Sequence, residues 1–151
     1  MEQSEPVVET LKVVDDADAA ALASLLGQLS TIAVFNRSRL DAIVEHDATE
    51  LLVARVGGKL VGTATLVTFP LPSGWRGHVD DVVVDRSMRG RGVARLLLQR
   101  MTELAGSRGL RTLDLTSRPS RESALRLHES VGFVRRETNV LRFTPGNDPA
   151  R

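Results

Sequence analysis

The chain contains no cysteine. That absence removes disulfides, thiolate metal ligands and a cysteine nucleophile together, and it fits a reducing compartment. Tyrosine is also missing, and aromatic residues make up only 3%. Surfaces that hold single-stranded nucleic acid stack bases on aromatic rings, so such a surface is not expected. No apolar run approaches the roughly 20 residues needed to span a bilayer, so no membrane partner is expected. The first ten residues carry acids rather than a basic segment followed by an apolar stretch; no secretory leader is read there, and a cytoplasmic location is expected. An excess of either charge is lacking too. The 20 Lys and Arg against 19 Asp and Glu leave a net charge of +1, which gives the whole protein no field for nucleic acid or membrane.

What remains is an ordinary globular composition, 42% hydrophobic and 26% charged over 151 residues, the size of one domain with a real core. Residues 9–14 read as a strand. Asp15-Asp16 offers an N-cap to an Ala-rich helix with Leu22, Leu25, Leu26 and Leu29 at helical spacing. A short second helix is predicted over 38–46, with Leu40, Ile43 and Val44 on one face. Its neighbour Phe35 suits either core or a substrate wall. Residues 51–56, Gly57-Gly58 and 60–67 form a hairpin, because glycine supplies the positive φ of a tight turn. Residues 69–75, rich in Pro and Gly, read as a loop, and 77–85 as a strand ending in Val82-Val83-Val84, a run expected to be buried on both faces. A helix follows to about Gly106, then a strand over 110–116, a helix over 120–131, and two short strands within 133–143. The prediction is an α/β (α+β) fold with a mixed sheet of six to seven strands and helices on both faces. One domain spans 9–143, between a flexible start (1–8) and a flexible tail (144–151).

The most informative segment is Arg89-Gly90-Arg91-Gly92-Val93-Ala94, where a strand has ended and a helix begins. Unpaired N–H groups at a helix start, small residues that let a ligand approach the backbone, and the positive end of the helix dipole make a cradle for phosphate. Arg86, Arg89, Arg91 and Arg95 add positive charge beside it. The plainer alternative is a helix with a solvated basic start. The glycines do not make G-x-G-x-x-G, and no Gly-Lys-Ser/Thr follows, so dinucleotide and nucleotide P-loop motifs fit worse.

Arg89-x-x-Gly92-x-Ala94 resembles the acetyl-CoA signature of the GCN5-related N-acetyltransferases, Arg/Gln-x-x-Gly-x-Gly/Ala. The segment His78-Val-Asp-Asp-Val-Val-Val84 resembles that family's fourth strand. Downstream, the family often carries Asn-x-x-Ala-x-x-Leu-Tyr-Glu-x-x-Gly-Phe; this chain has Arg121, Ala124, Leu127, His128, Glu129, Gly132 and Phe133 there. The matches span residues 9–143, with departures at Arg121 for Asn and His128 for Tyr. The resemblance implies a mostly antiparallel sheet and acetyl-CoA as acyl donor, with no metal. It also implies transfer of the acetyl group to a primary amine of a small molecule by direct attack. The pyrophosphate would lie on Arg89, Gly90, Arg91, Gly92, Val93, Ala94 and Arg95, and the pantetheine arm on the backbone of Val82, Val83 and Val84, where the fourth and fifth strands splay.

An amine attacks a thioester only as the free base, so a proton acceptor is needed. Asp80 and Asp81 are adjacent; in a regular strand they point to opposite faces, with His78 on the Asp80 side, and a bulge would change that. His78 stands where some family members carry a glutamate base, so His78, Asp80 and Asp81 all remain candidates. His128 occupies the position of the family's tyrosine acid, and an imidazole can donate a proton near neutrality. The bland reading leaves it a helix-surface residue, and a thiolate can also leave unaided, with a pKa of about 8.5.

Two other classes compete. One is a degenerate CoA-binding sensor, suggested by the missing Tyr and Asn. The other is nucleic-acid binding through Arg86 to Arg95 with Arg118, Arg121 and Arg126, which the balanced charge disfavours. Acceptors in the family range from small amines and antibiotics to protein lysines and N-termini. The 77–84 segment is similar to the glucosamine-6-phosphate branch, and a homodimer is compatible with all of these readings.

Overall fold

The computed structural model describes residues 4–31, 34–117 and 122–147. Its elements run β1 (Val7–Thr10), α1 (Asp16–Leu29), α2 (Arg37–Glu45), β2 (Thr49–Val56), β3 (Lys59–Leu71), β4 (Gly74–Val84), α3 (Val93–Ser107), β5 (Thr112–Asp114) and α4 (Glu122–Val131). The strands form one open sheet in the order β1-β2-β3-β4-β5. The first three pairings are antiparallel and β4 with β5 is parallel.

Local chemistry sets most of these boundaries. Asp15 caps α1, its Oδ1 accepting the Asp18 N–H at 2.7 Å, and Asn36 caps α2 by accepting the Arg39 N–H at 2.9 Å. Both use the short polar side chain to satisfy an N–H that has no intrahelical partner. Gly57 and Gly58 have φ of 58° and 82°, the two positive values that a two-residue hairpin between twisted strands requires.

The sheet separates two apolar layers. On one side α3 and α4 cover Leu52, Ala54, Ala64, Leu66 and Val79. Leu97, Leu98 and Met101 of α3 are fully enclosed there, so truncating Leu97 to alanine would cost about 2–5 kcal/mol. Gly62 is what lets α3 approach: a Cβ built on it would lie 3.0 Å from Val93 Cγ1 and 3.4 Å from Leu97 Cδ1. On the other side α1 and α2 cover Leu51, Val53, Leu60 and Val83. Arg55 ties this side together, with Asp18 at 2.8 and 2.9 Å and Glu9 at 2.7 Å.

Three expectations change. Among the described residues the sheet has five strands, not six to seven. Residues 134–143 carry no strand, and Val134, Val140, Leu141 and Phe143 are exposed. A strand needs an edge to pair with, which β-branched and apolar residues do not supply by themselves. The segment 69–75 is not a loop but the end of a hairpin: Phe69 pairs with Arg76 and Pro70 with Trp75, leaving Pro72 and Ser73 as the turn. Proline is tolerated near a strand's end, where few ladder bonds are lost. Val82 and Val84 are only half-buried, and Val83 alone of the three valines is enclosed.

Candidate active site

The pairing of β4 with β5 covers three residue pairs and ends at His78 opposite Asp114. Below that point the strands are clamped. Gly77 leaves room for leucines, since a Cβ there would stand 2.8 Å from Leu110 Cδ1 and 3.0 Å from Leu113 Cδ1. Arg76 reaches across to Thr112 at 3.0 Å and Asp114 at 3.2 Å. Above it, the edge of β4 from Val79 to Val84 has no β5 partner among the described residues. Extended backbone with free N–H and C=O groups is what an extended ligand arm can pair with.

The upper end of β4 leads through Asp85 and a 3-10 turn (Arg86–Met88) to α3. Asp85 accepts from the Ser87 N–H at 2.9 Å and hydroxyl at 2.8 Å, and the Arg86 N–H donates to Gln28 at 3.1 Å, which fixes the turn against α1. Gly90 and Gly92 follow with φ of 80° and 78°, a left-handed conformation that residues with a Cβ rarely adopt. Gly92 is the N-cap of α3 and offers no side chain to the helix N–H groups. A Cβ at Gly90 or Gly92 would meet nothing within 4 Å, so the space beside both glycines is open. Arg89, Arg91 and Arg95 are exposed around it while Val93 is buried. The donor set fits a diphosphate: unpaired amides, a helix dipole and cationic side chains.

A bulge in β4 decides the acids. Thr63 pairs with Val83 and Thr65 with Asp80, so two residues, Asp81 and Val82, stand opposite Ala64. Asp81 takes φ of 50°, the one positive φ at a non-glycine among the described residues, and its N–H donates to Asp80 Oδ1 at 2.8 Å. The inserted residue resets the alternation. Val82 and Val84 pack toward α3, whereas Val83 packs toward α1 and α2. Asp81 lines the same cavity as Val83. The opposite-face expectation for Asp80 and Asp81 thus gives way to a pair of neighbouring carboxyls.

That cavity, about 260 Å³, lies between α1, α2 and the sheet. Leu22, Leu26 and Leu29 of α1 form one wall, Leu40 and Ile43 of α2 another, with Phe35 between them. Phe35 therefore serves as both core and cavity wall. Asp81 is exposed as a residue, yet partial desolvation at the cavity wall pushes its carboxyl above the usual carboxylate range, and the like charge of Asp80 and its hydrogen bond add to the rise. His78 Nε2 lies 3.6 Å from Asp80 Oδ2, so His78, Asp80 and Asp81 form one cluster. His128 stands apart from them on α4, in the opposite layer, with its ring edge-on to Phe133 at 6.3 Å between centroids. Arg118 and Arg121 lie outside the described residues.

Arg39, Asn36, Thr63 and Thr65 also line the cavity, and none stood out in the sequence. A signal was there for Arg39: it precedes Ile43 by four residues, so a cation sits on the apolar face of α2.

A profile of the Acetyltransferase (GNAT) family matches residues 19–133. The chain belongs to that family. It is 31% identical over 138 residues to a glucosamine 6-phosphate N-acetyltransferase of Trypanosoma brucei brucei, covering 86% of this chain and 92% of that protein. It is 30% identical over 129 residues to the L-amino acid N-acyltransferase MnaT of Escherichia coli, covering 78% and 75%. Among solved structures, an aminoglycoside N-acetyltransferase in complex with CoA superposes with a TM-score of 0.77 at 17% identity, covering 94% of this chain and 96% of that one; that likeness speaks for the fold. The protein is accordingly an acyl-CoA-dependent N-acetyltransferase, with acetyl-CoA as the family's donor. No helix among the described residues is long and apolar enough to cross a membrane.

Proposed function

We propose that the acceptor is a primary amine of a small molecule and that Asp81 takes the proton the amine must lose. The observation that carries this reading is the bulge, which sets Asp81 in a cavity wall beside the unpaired edge of β4. A carboxylate raised above its usual pKa is a stronger base toward an incoming ammonium than an ordinary aspartate. Asp80 supports it by holding the Asp81 N–H and contributing like charge, and His78 pairs with Asp80 at the rim. The nitrogen of the free amine then bonds to the thioester carbonyl carbon, the carbon–sulfur bond breaks, the second proton that the nitrogen sheds as it becomes an amide passes to solvent, and His128 supplies the proton that the leaving sulfur takes up, to be reprotonated from solvent.

In this reading the amides of residues 89–94, with Arg95, hold the pyrophosphate, and the backbone of Val82, Val83 and Val84 pairs with the pantetheine arm. Residues 9–143 act as the acyltransferase unit, in the cytoplasm, alone or as a homodimer. A second reading, glucosamine 6-phosphate as acceptor, is favoured by the 31% identical relative and by the similarity of the 77–84 strand. The test is CoA-thiol release from acetyl-CoA against panels of small amines, sugar phosphates and lysine peptides, repeated with succinyl-CoA. Release with small amines and acetyl-CoA is expected. Release only with peptides, or only with succinyl-CoA, overturns the reading.

A further inference from the structure

The cavity beside Asp81 is lined by two charged groups, Asp81 on β4 and Arg39 on α2. They are opposite in sign and make no ion pair with each other. Asp81 is accounted for by the amine. Arg39 is not accounted for by the fold. Its N–H is satisfied by Asn36, but its guanidinium makes no hydrogen bond or ion pair among the described residues. Its neighbour Arg37 differs: it holds Asp16 and Asp41 at 3.2 Å and the Val14 carbonyl at 3.0 Å, and so joins α1 to α2. Two arginines two residues apart on one helix thus have separate work, one fastening helices and one facing the cavity.

The rest of the lining restricts what can occupy it. Leu22, Leu26, Leu29, Phe35 and Ile43 present hydrocarbon, which a ligand matches with an apolar body. Polar partners are few and partly used: the Thr63 hydroxyl already donates to the Leu52 carbonyl at 2.8 Å, and Asn36 Oδ1 already accepts from Arg39. A sugar with several hydroxyls would leave some of them unpaired against leucine, at about 1–3 kcal/mol each. A guanidinium aimed at a small ligand complements a planar carboxylate, which takes two parallel N–H bonds.

We propose that Arg39 is a specificity-determining residue that binds the carboxylate of the acceptor, and that the acceptor is a small apolar amino acid whose hydrocarbon side chain fills the α1–α2 cavity. This builds on the small-amine reading above and narrows it. The amine end goes to Asp81, the carboxylate to Arg39, and the side chain to the leucine wall.

The experiment is thiol release at saturating acetyl-CoA with L-leucine, L-methionine, L-phenylalanine and 6-aminohexanoate, each beside its primary amide, and with glucosamine 6-phosphate. Wild type, Arg39→Gln and Arg39→Lys are compared, with circular dichroism to confirm folding and calorimetry to confirm CoA binding. At least one acid is expected to exceed its amide in kcat/KM by about 10- to 100-fold, the scale of a charge-assisted pair. In Arg39→Gln that ratio should collapse toward one through KM rather than kcat, and Arg39→Lys should restore part of it. If an amine is acetylated but acid and amide are used alike, or Arg39→Gln leaves their ratio intact, the proposal is overturned while the small-amine reading stands. Preference for glucosamine 6-phosphate over every amino acid overturns the apolar amino-acid class. If CoA binds and no small amine releases thiol, the small-amine reading fails and takes this proposal with it.

Discussion

The two halves of the site are built differently. The proposed donor side, Gly90 to Ala94 at the head of α3, is made of backbone: positive φ at two glycines and helix amides that no side chain caps. The proposed acceptor side is made of side chains from α1, α2, β3 and β4 around one cavity. A backbone cradle recognises a group common to every reaction and tolerates change in its exposed side chains. A side-chain cavity can be retuned one residue at a time, which suits a family whose relatives bear the names of different acceptors.

Mutations should therefore separate the halves. The largest effect is expected at Gly92. Valine there places a β-branched residue at φ of 78° and puts a side chain into the open space beside the turn; CoA affinity by calorimetry should fall at least ~100-fold, with the circular-dichroism spectrum retained. Normal CoA binding by Gly92→Val would detach the phosphate turn from the donor site.

Next comes Asp81→Asn, which keeps the shape and removes the proposed base. A loss of about 100-fold or more in kcat at neutral pH is expected with CoA affinity preserved, and a smaller loss at high pH where the free amine is abundant. The sign of the wild-type profile follows from the raised pKa. As the proposed base Asp81 works deprotonated, so rate should be lost as pH falls through its folded pKa, with an acid limb above the ordinary carboxylate range. Asp80→Asn removes the like charge that helps to raise it and should move the limb to lower pH, though desolvation, the largest influence, remains. An acid limb that stays in place would break the pairing of the two acids.

His128→Ala should lower turnover by roughly tenfold or more at saturating acetyl-CoA, because proton donation to the sulfur matters in the transition state. His128→Tyr should return part of it. An unchanged turnover number would remove His128 from the chemistry and leave the sulfur departing unaided.

The smallest effect tests the frame rather than either half. Asp18, 7% exposed, is held by Arg55, which lowers its pKa. Asp18→Asn should cost about 1–3 kcal/mol of stability by urea titration at pH 7. That contribution is present above the unfolded aspartate pKa near 3.8 and is lost as pH falls through the lower folded value. The difference between wild type and variant should therefore shrink in acid. An equal difference at pH 7 and pH 2 would show that the ion pair does not carry the effect.

What was legible in the sequence follows the same division. The Asp15 cap, the Gly57-Gly58 hairpin, the strand-to-helix turn at 89–94 and the helix after it all depend on neighbours within a few residues, and the sequence states neighbours directly. The downstream motif likewise placed His128 on its helix. The bulge at Asp81 could not be read this way, because it is defined by a register against β3, some 16 residues away in the chain. The final strands were read from residue type alone and are absent where no edge pairs with them.

The sequence by itself determined the family, the glycine turn into α3 and a set of three acidic and imidazole groups within one strand. Only the tertiary structure decided which of those groups faces the α1–α2 cavity, and that Arg39 joins it there. The physical reason is the period of a strand: one inserted residue exchanges the faces of everything beyond it. The cavity exists only where two helices and a sheet meet, so its lining is a property of packing and not of any one segment.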